Sequence, residues 1–325
     1  MPGSDMLREM AEQPEVLARL LSRRIEVGLE EPAGTIIVAR GSSDHAAVYG
    51  RYLLELATRR PVALAAPSLF TRYGAQTDAS GWLVVGVSQS GKTPEIVDVV
   101  ERLRATGGHA IAITNNGDSP LAEAAETVIE LGAGAENAVP ATKTYTAQMA
   151  AFAVLADALG DVPWTDDELA TVPDAVAGVL ADPAGMADLA DRWAEIDQLV
   201  VTARGWMFSA ALETALKVRE TALVSAQGFS VADFLHGPIA AVDPGAAVLA
   251  LRAEGPAAAD VDEAVEALQQ RGADVQLMPR VGGLPEALAP IAASVRGQQL
   301  ALELALRKGL NPDAPRGLSK VTITR

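Results

Sequence analysis

Residues 82–93 read WLVVGVSQSGKT, from Trp82 through Ser88, Gln89, Ser90 and Gly91 to Lys92 and Thr93. The apolar run, with its three valines, predicts a strand buried on both faces. A hydroxyl-rich turn follows, and Pro94 to Arg102 then carry a helical pattern. Proline suits the first turn of a helix, and Thr93 suits its N-cap. A strand, a small turn and a helix N-terminus make an anion site, because free backbone N–H groups and the helix dipole favour negative charge there.

Three readings fit this turn. Gly86 to Thr93 matches the nucleotide-binding pattern G-x-x-x-x-G-K-T, with Lys92 and Thr93 in the lysine and magnesium-ligand places. Ser88, Gln89, Ser90 and Thr93 would equally clamp the phosphate of a single sugar. The third reading is a turn without a ligand.

The 325 residues suffice for two domains of ordinary size. An apolar fraction of 49% excludes a disordered chain, and no run approaches the ~20 apolar residues of a membrane span. The start, MPGSDMLREMAEQPEV, is charged and has no apolar signal core, which predicts a cytoplasmic protein that does not bind membranes. Without cysteine there are no disulfides, thiolate metal sites or cysteine nucleophile. His45, His109 and His236 are the only imidazoles, so a multi-histidine metal site is not expected. No cofactor is expected. A net charge of −16 argues against nucleic acid as a partner. Such a chain must hold a phosphate locally, with directed N–H and hydroxyl groups.

Upstream, residues 4–27 read as a helix with Leu7, Met10, Val16, Leu17, Leu20 and Leu21 on an apolar stripe interrupted at Pro14. Residues 35–39 are a strand, followed by Arg40, Gly41, Ser42 and Ser43 and a helix to about Leu56, with Asp44 in its first turn. A short strand lies near 62–65. Downstream come helix 94–106, strand 109–113, a short helix near 119–125, strand 127–131 and a long helix over 140–159. The alternation predicts an α/β fold with a doubly wound parallel sheet, whose ligands lie at the carboxyl ends of its strands.

Residues 160–168, GDVPWTDDE, interrupt the pattern. Helices near 168–181 and 184–194 precede a second strand–helix series from Leu199, with strand 247–251, helix 259–271, a strand near 274–278 and helix 292–308. Arg204-Gly205 stands 164 residues after Arg40-Gly41 in the same strand-end context, so the chain reads as two tandem α/β units. The expected domains are an N-terminal helix over 1–30, a phosphate-binding unit over 31–160, a second unit with leading helices over 161–310 and an active-site tail over 311–325. In the second unit the counterpart of the serine turn is Arg252-Ala253-Glu254-Gly255-Pro256, whose carboxylate repels phosphate. One phosphate site per chain is expected.

Glu213, Lys217 and Glu220 share one helix face, either as a solvated ion-pair stripe or as chemistry. His236 precedes Gly237-Pro238, where the backbone is restricted. In NPDAPRGLSK, residues 311–320, the prolines and glycine prevent a helix, and a short strand over 321–324 would anchor the tail.

In this order the motifs resemble the sugar isomerase (SIS) family, along essentially the whole chain. They are Glu12-Gln13-Pro14, Gly41-Ser42-Ser43, Ser88-Gln89-Ser90-Gly91-x-Thr93, Ala141-Thr142-Lys143, Ala211-Leu212-Glu213-x-Ala215-Leu216-Lys217, His236-Gly237-Pro238 and Pro315-Arg316-x-Leu318-x-Lys320. The chain is most similar to the isomerase part of glucosamine-fructose-6-phosphate aminotransferase and to SIS-type glucosamine-6-phosphate deaminases. The resemblance favours the sugar-phosphate clamp. A nucleotide hydrolase also needs an apolar strand ending in aspartate, and the one such run, Ile239 to Asp243, directly follows His-Gly-Pro.

The resemblance implies that Ser43, Ser88, Gln89, Ser90 and Thr93 hold the 6-phosphate, and that Gly41, Ser42, Val139, Ala141 and Ser319 line the sugar. It implies Glu220 as the base that moves a proton between C1 and C2, with Lys217 beside it. His236 matches the ring-opening histidine that the neighbouring subunit supplies, which implies a homodimer with a shared active site. Lys320 matches the lysine that forms an imine with the open ketose. These types suit the chemistry: ring opening needs a group titrating near neutrality, a carboxylate can abstract a carbon-bound proton, and a lysine can capture a carbonyl.

Lys92 stands where that loop often has an acidic residue, and Gln227 where the aminotransferase has glutamate. With no glutaminase segment or cysteine, ammonia transfer from glutamine is not expected. The expected activity is deamination and isomerisation of glucosamine 6-phosphate to fructose 6-phosphate and ammonia. The alternatives are a fructosamine-6-phosphate deglycase and a non-catalytic sugar-phosphate sensor.

Overall fold

The computed structural model describes residues 1–29 and 31–320. The strand expected over 321–324 lies outside the described residues. The chain divides into two compact units. One comprises Met1–Pro14, Asn137–Thr142 and Asp166–Leu318, and the other Glu15–Glu136, Lys143–Thr165 and the tail from Ser319. No described helix is long and apolar enough to cross a membrane.

The leading segment is two helices, α1 (Ser4–Ala11) and α2 (Gln13–Leu21). Pro14 falls in the first turn of α2, where its missing N–H costs nothing. The restart moves the apolar stripe of α1 onto Met6 and Met10, which are buried, and leaves the expected stripe residue Leu7 exposed. Residues 22–27, expected to continue the helix, are not helical.

The first sheet is built by β1 (Thr35–Val38), α3 (Ser42–Thr58), β2 (Val62–Leu64), α4 (Pro67–Thr71), β3 (Leu83–Val87), α5 (Pro94–Ala105), β4 (His109–Thr114), α6 (Pro120–Glu123), β5 (Thr127–Glu130) and α7 (Lys143–Leu159). All strands are parallel, in the order β2-β1-β3-β4-β5. Every residue of β3 is buried, as expected of an apolar run with neighbours on both sides. The chain runs outward from β1 to β2 and returns to β3. The loops that begin at Arg40 and Ser88 therefore flank the point where the strand order reverses, the usual ligand position in such sheets. Helix α7 is buried without a break from Lys143 to Ala156, as an alanine-rich helix with no polar face should be.

The second sheet follows α8 (Asp166–Ala170), α9 (Val172–Ala181) and α10 (Ala184–Arg192). It contains β6 (Gln198–Ala203), α11 (Phe208–Ala222), β7 (Ser225–Ser230), α12 (Val231–Leu235), β8 (Ala247–Leu251), α13 (Ala258–Gln270), β9 (Asp274–Leu277) and α14 (Ala289–Arg307). Its parallel order, β7-β6-β8-β9, repeats that of the first four strands. The repeat extends to side chains. Gly41 and Gly205 both have φ of 60° after the strand-ending arginine, a conformation that glycine adopts without strain. Arg40 bonds Glu95 in the first turn of α5 at 3.0 Å, and Arg204 bonds Asp260 in the first turn of α13 at 3.1 Å. Strand β7, SAQGFS, is not apparent in the sequence because it is polar. It exists by pairing along the whole of β6.

Asp274 at the start of β9 receives both guanidinium arms of Arg192 at 2.7 Å, the Trp193 indole N–H at 3.0 Å and the Gln276 amide at 2.7 Å. The arginine bonds, aided by Gln276 and Trp193 and opposed by desolvation, hold its carboxyl down at about 2. A lowered folded pKa gives stability that is present above the unfolded value and lost as pH falls toward the folded one. Asp274→Asn should therefore lower the thermal midpoint at pH 7. The gap to the unaltered protein should close as pH falls from about 4 toward about 2 in melting curves.

Candidate active site

The turn after β3 is held by its own backbone. The Ser88 N–H extends the ladder to Ile113 O at 3.1 Å, and the Gly91 N–H returns to Ser88 O at 3.2 Å. The Lys92 N–H donates to Ser90 Oγ at 3.2 Å. Thr93 occupies the N-cap position of α5, but its hydroxyl does not cap the helix. It lies 3.1 Å from Ser88 Oγ in a shared hydrogen bond. The first N–H groups of α5 are thus left without a side-chain acceptor beside three hydroxyls, which is the arrangement an anion needs.

Gly91 has φ of 64°, and a Cβ there would lie 2.0 Å from Ser119 Oγ and 2.9 Å from Thr114 Oγ1. The close approach lets Gly91 O accept from Leu121 N at 3.0 Å, tying the turn to the first turn of α6. In the same unit, Ser43 in the first turn of α3 is buried, and its Oγ accepts from Gln148 Nε2 on α7 at 3.0 Å. Gly41 and Ser42 precede it at the carboxyl end of β1, and Asp44 lies in the same turn, its carboxyl pushed up by burial against the opposing pull of His45 and Arg40.

Three residues of this unit join the site without having been singled out in the sequence. Gln148, which positions Ser43, is one. Asn115 is the second: its N–H donates to Gln89 O at 3.0 Å, its amide donates to Gly134 O at 2.8 Å, and its Oδ1 accepts from Ala133 N at 2.8 Å. Glu136 is the third, with its side chain fully buried. It accepts from Thr144 N at 3.1 Å, Thr144 Oγ1 at 2.7 Å and Lys320 Nζ at 2.6 Å. Lys320 and Ser319 belong to this unit. The only sequence signal for Glu136 was its place just before Val139 and Ala141.

The other unit carries the helix-face triad. Lys217 on α11 forms an ion pair with Glu220, and its Nζ is 3.5 Å from Glu213 Oε1. Lys217 and Glu213 are 1% exposed and Glu220 is 23% exposed, which overturns the solvated-stripe reading. A buried ammonium holds the one of the two carboxylates that reaches solvent. Helix α11 is fixed in place by α14, whose Ala301 O accepts from Thr221 Oγ1 at 3.0 Å. His236 ends α12 in an exposed turn, and its ring has no hydrogen-bond partner among the described residues. Val139 and Ala141 lie in the Asn137–Thr142 segment, and the Val139 N–H donates to Asp313 O at 2.9 Å. Residues Pro238–Ala241 are a 3₁₀ turn and not a strand, so the aspartate-bearing strand of a nucleotide hydrolase is missing at Asp243.

The SIS domain family matches residues 31–158 of this chain. The chain is 32% identical over 338 residues to a glutamine–fructose-6-phosphate aminotransferase (isomerizing) of Methanothermobacter thermautotrophicus, covering 97% of this chain and 56% of that protein. It thus spans little more than half the length of the curated relatives it matches. Among solved structures, the C-terminal domain of glucosamine-fructose-6-phosphate aminotransferase from Francisella tularensis has a TM-score of 0.84 at 21% identity, over 96% of this chain and 98% of that one. Glucosamine-6-phosphate deaminase from Thermotoga maritima has a TM-score of 0.81 at 22% identity, over 99% and 100%. The likeness in fold extends over 96–99% of this chain.

The Gly91 contact sets an expected outcome. Gly91→Ala forces a strained backbone and displaces Ser119, at a cost of about 1–3 kcal/mol, so binding of a sugar 6-phosphate should weaken about tenfold or more by calorimetry. Lys92→Ala keeps every backbone bond of the turn and should weaken binding far less.

Proposed function

We propose that this protein is an aldose–ketose isomerase of amino-sugar 6-phosphates that works as a deaminase. It opens glucosamine 6-phosphate, transfers a proton between C1 and C2, and hydrolyses the resulting ketose imine with one water to fructose 6-phosphate and ammonia. The observation that carries this reading is the Lys217–Glu220 pair, a buried ammonium that orients a carboxylate still open to substrate. The phosphate turn, and relatives that bear isomerase and deaminase names, support it.

Roles follow from chemistry. Ser43, Ser88, Gln89, Ser90 and Thr93 hold the phosphate with hydroxyls, the Gln89 amide and helix N–H groups. Glu220 takes the carbon-bound proton and returns it to the neighbouring carbon. Lys320 Nζ, as the free amine, attacks the ketose carbonyl carbon. The C–N bond forms, and the carbonyl oxygen leaves as water with the two nitrogen hydrogens. His236, exposed on its turn, serves ring opening in a neighbouring copy of the chain, so the working form is a dimer.

Ammonia release from glucosamine 6-phosphate tests the reading. Glu220→Gln should reduce it by about 10²–10⁴-fold, the range of a lost general base, while fructose 6-phosphate still binds. Undiminished release from the variant would remove Glu220 from the chemistry. Mixing inactive Glu220→Gln and His236→Ala chains should restore part of the activity after subunit exchange. No recovery would place His236 in its own chain's site.

A further inference from the structure

Glu136 makes a charged contact that the reaction as described above does not use. Its carboxylate is buried with no exposed side-chain surface, yet it faces a lysine that is 24% exposed. Thr144 at the start of α7 supplies two of its donors, a backbone N–H and a hydroxyl. Those bonds fix the carboxylate before Lys320 arrives. The third donor comes from a tail segment whose residues 311–320 form no helix or strand.

The position of the carboxylate is also set from the phosphate turn. Asn115 takes Gln89 O on one side and the 133–134 backbone on the other, two residues before Glu136. Side-chain and backbone bonds therefore run from Gln89 through Asn115 to the segment that carries Glu136, within one unit.

We infer that Glu136 is the positioning residue for Lys320: it docks the tail and sets the lysine nitrogen at a fixed place relative to the bound phosphate. The inference rests on the reading of Lys320 as the imine-forming lysine. The reason is entropic. A lysine side chain on an irregular tail must be held near the carbonyl to react as a neighbour, and placement of this kind is worth orders of magnitude in rate. A carboxylate already pinned by Thr144 supplies the placement without reorganising.

The test is reductive trapping. The protein is saturated with fructose 6-phosphate and treated with borohydride, which reduces the C=N bond to a stable secondary amine, and the modified peptide is located by mass spectrometry. Unaltered protein should carry the adduct on Lys320, and Lys320→Arg should carry none. Glu136→Gln should bind fructose 6-phosphate with little change by calorimetry, yet form adduct about tenfold more slowly or worse per bound ligand. Thr144→Val, which removes the hydroxyl tether of Glu136 and keeps the backbone N–H bond, should slow trapping in the same direction but by less than Glu136→Gln.

Equal trapping by Glu136→Gln and unaltered protein overturns the positioning role. So does a loss of trapping in Glu136→Gln that only parallels a loss of binding, because that describes a structural role. If the unaltered protein releases ammonia but leaves no adduct, the imine and the positioning role fall while the deaminase stands. If it does neither, the functional reading itself fails.

Discussion

A chain with a net charge of −16 repels a phosphate nearly everywhere, so the anion has to be met by dipoles aimed at one point. In the proposed site, the first sheet offers that point. Parallel strands put every strand-to-helix turn at one edge, and the reversal of strand order between β1 and β3 opens a crevice there. The hydroxyls of Ser88 and Thr93, bonded to each other, leave the end of α5 uncapped. The approach of Gly91 to Ser119 keeps the turn narrow. Strand order, turn chemistry and helix capping thus serve one electrostatic requirement.

The second sheet shows what the same architecture becomes without that requirement. Its strand order and its strand-end arginine–acid pair repeat the first. Beyond β8, however, Arg252 is 2.8 Å from Asp262 and 3.3 Å from Glu254, so the equivalent turn is closed by ion pairs. Its charge is neutralised internally where the serine turn keeps hydroxyls beside a helix end with no side-chain cap.

Buried charge recurs at the residues assigned to chemistry. Lys217 between Glu213 and Glu220, and Glu136 between Thr144 and Lys320, are groups that protein interiors hold only at a cost, since desolvation offsets much of the attraction. An apolar filling would serve stability at least as well. Their presence on otherwise alanine-rich helices and loops points to work beyond packing. It also means that removing one partner strands the other, so binding must be measured alongside rate in any variant.

Most of the fold was legible in local pattern. Buried parallel strands are continuous apolar runs, the helices carry their own periodicity, and the serine turn declares its chemistry in its residue types. Polar β7 was not legible, because an edge strand of this composition exists only by pairing with β6. The helix-face triad shows the same limit: spacing placed Glu213, Lys217 and Glu220 together, but only tertiary packing decided that Lys217 and Glu213 leave water while Glu220 does not. The sequence by itself determined the two α/β units, the hydroxyl-rich turn and the candidate acids and bases, because these depend on neighbours along the chain. The tertiary structure alone decided the bonds of Asn115 to Gln89, of Gln148 to Ser43 and of Glu136 to Lys320. Those contacts join residues as many as 184 positions apart, a separation at which sequence pattern carries no information about distance.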